Sequence, residues 1–224
     1  QLDILTVLVM GMMASGLVAI VLGSSRDGAP APGFEEATIG AVAGFFAFLA
    51  LLGRGVSPDL ISVVVGNALL FFCLALYLRA YQLFNESAPR RTWPVPFAAA
   101  ASVAFGAAWL AGAGYAQRAI LVSAVVIVFT ACSAWELARD RGMARERSRA
   151  IGIAICTLTA AMQAVRIVLL LGSGEAAGET LLAPSIERSF AFFPTVLHVL
   201  GAGFGFVAMH NERNYARSMA LAHS

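Results

Sequence analysis

Four side chains able to hold a ligand stand inside otherwise apolar stretches: Asn67, Gln163, Arg166 and His198. An arginine at the centre of a bilayer costs on the order of 2.5–3.5 kcal/mol on insertion scales, so its presence needs a reason. The planar fork of Arg166 can clamp an anion. Asn67, Gln163 and His198 would add hydrogen-bond partners, and Trp109 an apolar wall. At a rise of about 1.5 Å per residue, Arg166 lies roughly 8 Å, and Gln163 and His198 roughly 12 Å, from the same end of their helices. Asn67 sits at a similar depth in the third apolar stretch. One reading is a pocket for a polar or anionic ligand, with the acidic stretch from Gly172 to Ser189 (Glu175, Glu179, Glu187) as its lid. The other is structural: Arg166 reaches out to Glu175 or Glu179, while the remaining groups bond across helices and hold a bundle together.

Other chemistries are thinned by what is missing. The chain contains no lysine, so a retinal Schiff base has no amine. His198 and His210 are about 18 Å apart on one helix and cannot clasp a haem. Cys73, Cys132 and Cys156 lie in apolar stretches without paired Cys/His spacing and are expected to be free thiols, with no metal. Met10, Met12 and Met13 read as packing. Gly201, Gly203 and Gly205 lie inside an apolar helix, which makes them close-packing positions and not a phosphate cradle. No catalytic residues and no cofactor are expected. A transporter or channel lacks paired acids or broken helices in matching halves, and stays as the alternative.

The elements that must position these residues follow from composition. The chain has 224 residues, 59% hydrophobic and 12% charged, with mean hydropathy +0.80; soluble domains carry roughly 25% charge. The net charge of +2 gives no reason to expect nucleic acid. The lipid bilayer is the expected partner. Apolar stretches at about residues 4–23, 38–52, 60–78, 97–113, 118–137, 150–171 and 190–210 predict an all-α polytopic membrane protein, a bundle of seven transmembrane helices. Gly40 and Gly44 have the small-xxx-small spacing of close helix contact. Residues 1–210 form the membrane domain, and residues 211–224 start a connector. No Pro or Gly occurs from Val207 to Ser224, so the last helix can run out into water as a signalling helix. Tyr215, Met219 and Ala222 lie on one face of it. With Gly201 and Gly205 above, they form a candidate relay and homodimer seam.

Arginine placement sets the orientation. The run Arg139 to Arg149, with Arg26, Arg79, Arg90, Arg91, Arg213 and Arg217, falls on one side; only Arg54, Arg118 and Arg188 fall on the other. The positive-inside rule then predicts an outside amino terminus and a cytoplasmic carboxyl terminus.

Gly66-Asn67-Ala68-Leu69-Leu70, then Leu74-Ala75-Leu76-Tyr77-Leu78-Arg79, resembles the third span of the seven-span sensory regions that precede bacterial GGDEF-type diguanylate cyclases. Arg54 to Ser62 resembles the short loop before that span. Met219 to Ser224 resembles the connector before the cyclase domain. The resemblance implies a sensory input domain in the bacterial inner membrane. It would relay a signal through its seventh helix to a cytoplasmic output domain of the same parent chain, a cyclase making cyclic di-GMP, acting as a homodimer. No GGDEF motif is present, so no cyclase site is carried over. The same kind of region can precede a phosphodiesterase or a histidine kinase.

The orientation predicts that a cysteine introduced at Glu179 is labelled by an impermeant thiol reagent on intact cells, and one introduced at Arg145 is not. Labelling at Arg145 in sealed cells would defeat it.

Overall fold

The computed structural model describes residues 4–24, 32–85, 92–139, 147–172 and 186–222, with the side chains at 147, 186–191, 216, 217 and 220–222 left aside. Most of the arginine run, and Glu175 and Glu179 of the acidic stretch, lie outside the described residues. The regular structure is helical: α1 (Ile4–Ser24), α2 (Phe34–Leu52), a π-helical turn (Leu60–Val65) continuing into α3 (Gly66–Phe84), α4 (Pro94–Leu110), α5 (Tyr115–Arg139), α6 (Arg147–Gly172) and α7 (Ile186–Ala222). Six of these are long and apolar enough to cross a bilayer, and the chain is on that ground a multi-pass membrane protein. The exception is α4, whose 17 residues reach about 25 Å against a hydrocarbon core of about 30 Å.

Helix ends depart from the expected spans for local reasons. Gly33, at φ 88°, turns the chain into α2 four residues before Thr38, and Glu35 and Glu36 suit the positive end of that first turn. The Ala80 backbone lies where a Cβ on Gly33 would stand, so α2 starts in contact with α3. Pro94 takes the first position of α4, where a missing N–H costs nothing. At the other end of the chain, α7 begins at Ile186, inside the stretch expected to be loop, and runs through Pro194.

The six long helices close into a ring in the order α1, α2, α3, α5, α6, α7 and back to α1, with α4 clipped outside against α3 and α5. α3 is the shared wall. Its Tyr77, Tyr81 and Phe84 enter a core with Leu8, Phe34, Phe48 and Phe206. Its Phe71, Leu74 and Leu78 enter a second core with Phe105, Val126 and Phe129. Outward, Met13, Ile20, Val103, Trp135, Val168 and Leu171 are each more than half exposed. Apolar side chains ringing a bundle in this way suit lipid and not water.

Small residues let the ring close. A Cβ on Gly44 would lie 3.1 Å from Cys73 Sγ of α3 and 3.2 Å from Ser15 Oγ of α1. Gly11 of α1 has Val196 of α7 and Phe48 of α2 against it, within 3.0 Å of where a Cβ would stand. On α7, Gly201 faces Ile155 of α6 and Gly203 faces Val18 of α1, both too close for a further carbon. Gly205 has nothing within 4 Å.

Gly203→Leu should therefore lower the detergent melting temperature, with overpacking of about 1–3 kcal/mol, while Gly205→Ala should not lower it, because Ala is favoured over Gly in a helix by about 0.5–1 kcal/mol. Equal melting of the two variants would contradict the α1–α7 contact.

Candidate functional site

A cleft of about 60 Å³ opens at one end of the ring. Its lining comes from six helices and the loop after α2. Arg54, Tyr115, Arg118 and Arg166 bring basic and hydroxyl groups, Asn67, Gln163 and Thr195 bring neutral polar ones, and Phe48, Leu70, Phe105, Val122 and Phe192 are among the apolar wall.

Arg166 is buried at 4% exposure. Its Nη1 donates to Ser123 Oγ at 3.1 Å and its Nη2 to Tyr115 Oη at 3.3 Å, both on α5. Its Nε has no partner among the described residues. A guanidinium offers five N–H donors and normally seeks a carboxylate or phosphate; among the described residues Arg166 has only neutral hydroxyls.

From Arg166 the hydrogen bonds continue across the bundle. Ser123 Oγ donates to Gln163 Oε1 at 2.9 Å, and Gln163 Nε2 donates to Thr195 Oγ1 of α7 at 3.4 Å. Two more contacts extend the α6–α7 seam inward. Thr159 Oγ1 donates to the carbonyl of Pro194 at 3.2 Å, and Cys156 Sγ lies 3.8 Å from His198 Nδ1. A proline inside a membrane helix removes one backbone donor, and hydroxyls of a neighbouring helix commonly help to satisfy the altered turn.

The π turn and the start of α3 bring Val63 and Asn67 to the cleft lining. The wider turn shifts the backbone register, and Asn67 Nδ2 donates to the Val63 carbonyl at 2.7 Å. π turns of this kind recur at functional sites.

The structure thus brings Asn67, Gln163 and Arg166 to one cleft. His198 is 1% exposed and points into the α6–α7 seam, not into the cleft lining. Trp109 packs against the α3–α4–α5 core, again outside the lining. Gly201 meets Ile155 of α6, and nothing lies within 4 Å of where a Cβ on Gly205 would stand. Tyr215 and Met219 are exposed on α7 at 70% and 44%; the side chain of Ala222 lies outside the described residues. Sequence reasoning missed Tyr115, Ser123 and Thr195, and took Arg54 and Arg118 only as topology markers. A signal was available on α6, where Cys156, Thr159, Gln163 and Arg166 recur at three- and four-residue intervals on one helix face.

At the opposite end of the ring α7 is fixed again. Arg213 Nη1 donates to the Phe84 carbonyl at 2.9 Å while its guanidinium sits 3.8 Å over the Phe84 ring. Ser148 Oγ donates to Glu212 Oε1 at 2.7 Å. Beside them Arg149 Nη2 donates to Asn85 Oδ1 at 3.4 Å and Asn85 Nδ2 to the Glu136 carbonyl at 2.7 Å. Beyond this node the described side chains Asn214, Tyr215, Ser218 and Met219 are exposed.

Gln163→Leu removes the acceptor of the Ser123 hydroxyl and a donor to Thr195 Oγ1, so it should destabilise the protein by about 1–3 kcal/mol. Adding Thr195→Val to it should recover part of that loss, as coupled neighbours do. Strictly additive melting shifts for the pair would rule out the Gln163–Thr195 link.

Compared with known protein families, with curated proteins and with solved structures, the chain has no match. The function of the cleft is therefore argued from its chemistry.

Proposed function

We propose that this chain is a membrane-embedded sensory input domain. It takes a small anionic ligand at the cleft and relays occupancy through α7 to a cytoplasmic output domain. The supporting observation is the unbroken line from Tyr115 and Arg166 through Ser123 and Gln163 to Thr195, because it ties the cleft to α7, the longest of the described helices. α7 has 37 residues and runs about 55 Å, well beyond the roughly 30 Å of hydrocarbon. A ligand that satisfies Arg166 would alter its hold on Ser123, and through Gln163 the position of α7. Packed interfaces of this kind switch between discrete arrangements instead of deforming smoothly.

In this reading all seven helices cross a bacterial inner membrane, with the cleft on the periplasmic side and the α7 extension in the cytoplasm. Tyr215 and Met219, exposed on that extension, face a second copy. The resemblance of the third span to cyclase input regions favours a diguanylate cyclase as the output.

The relay is tested with the full-length protein in membranes. Cysteines placed at Met219 should crosslink between copies, and Arg166→Leu should change the crosslink yield and the cellular cyclic di-GMP level while the protein still melts cooperatively. A stable Arg166→Leu protein with parental crosslinking and output would defeat the relay. Substrate flux in proteoliposomes would favour a transporter instead.

A further inference from the structure

The cleft combines one deeply buried guanidinium with a mostly apolar wall, and that pairing limits what fits. Arg166 is 4% exposed, bonds to two neutral hydroxyls and has no partner at Nε among the described residues. A charge held in this state favours an anion as counter-ion. Arg118 and Arg54, both half-buried, stand at the same cleft and would draw an anion towards it. An inorganic dianion such as sulfate would have to shed its water against Phe48, Leu70, Phe105 and Val122, which return no hydrogen bond. The same wall rewards hydrocarbon. The stretch of wall formed by these four side chains matches a body of only a few carbons.

We infer that the cleft is a site for a small organic monocarboxylate. Its carboxylate sits on Arg166 with Tyr115 beside it, and its short aliphatic body lies against Phe48, Leu70, Phe105 and Val122. This assignment rests on the reading of the cleft as a ligand site. It adds the ligand class, which neither the helix architecture nor the relay requires.

The test is a titration of the purified full chain in nanodiscs of zwitterionic lipid, with acetate, propionate and butyrate at constant ionic strength. Butyramide serves as the uncharged isostere and sulfate as the charge without hydrocarbon. Affinity should rise about fourfold for each added methylene, the gain of burying one CH₂. Butyramide and sulfate should not bind measurably. Folded Arg166→Leu should lose butyrate binding; should that variant fail to fold, Val122→Trp, which fills the wall without touching the charge, should lose it as well. A flat series, sulfate binding as tight as butyrate, or parental affinity in either folded variant would overturn the assignment. So would loss of butyrate binding on adding phosphatidylglycerol to the nanodiscs, which would make a lipid headgroup the occupant. The two readings fail separately. Butyrate that binds but leaves Met219 crosslinking of the full-length protein unchanged defeats the relay and keeps the ligand class. Crosslinking that responds to Arg166→Leu, in a protein that does not bind butyrate, defeats the ligand class and keeps the relay.

Discussion

A guanidinium among apolar helices must be held, and among the described residues Arg166 is held by the hydroxyls of Ser123 and Tyr115 on α5. Desolvating a charge is costly unless hydrogen bonds replace the water. Two neutral partners reduce that cost without cancelling the charge. They also fix the rotation of α6 against α5, because both bonds form only when the Arg166 face meets the Ser123 face. With that face set, Gln163 and Thr159 necessarily point towards α7, where they meet Thr195 and the Pro194 carbonyl.

The cleft is a by-product of the same geometry. Among the described residues the ring of six helices, with α4 clipped outside, is open at the end where the cleft lies. The π turn leads into α3 there, and Asn67 in the first turn of α3 lines the same cleft as Arg166. Gln163 and Arg166 bond across helices and also line a space, while Asn67 bonds back to its own helix at the Val63 carbonyl. In a membrane the two roles need not compete, since a polar group that already bonds to a neighbouring helix can accept a ligand with less reorganisation than one ordered only on binding.

α7 is fixed at two heights, by Thr195 near the cleft and by Glu212 and Arg213 near the far end. Between them the helix lies close to α1 and α6 because Gly201 and Gly203 carry no side chain. Close packing over such a length favours motion of the helix as a unit over local bending, since packed cores have few intermediate arrangements. Arg213 matters here because its guanidinium both caps the carbonyl end of α3 and stacks on Phe84. It couples α7 to the helix that carries Asn67 at its other end.

What the sequence alone determined is the class of molecule and the list of costly residues. Long apolar stretches and the scarcity of charge announce membrane helices, because a bilayer demands internal backbone hydrogen bonds. Arg166 and Gln163 stood out because such groups are expensive there. Tertiary structure decided what each group meets. Depth along a helix is a one-dimensional quantity that primary structure supplies; azimuth depends on which neighbours pack, and that is set by small residues scattered over several helices. His198 has the right depth for the cleft and the wrong azimuth, so it meets Cys156 on the α6 seam instead. Trp109 lies on α4, which the ring excludes, so it packs against the outer core. Ser123 and Thr195 were invisible as site residues because a hydroxyl in a helix can bond its own backbone and so carries no cost that marks it. Only the approach of α6 from one side and α7 from the other made the two hydroxyls parts of one line.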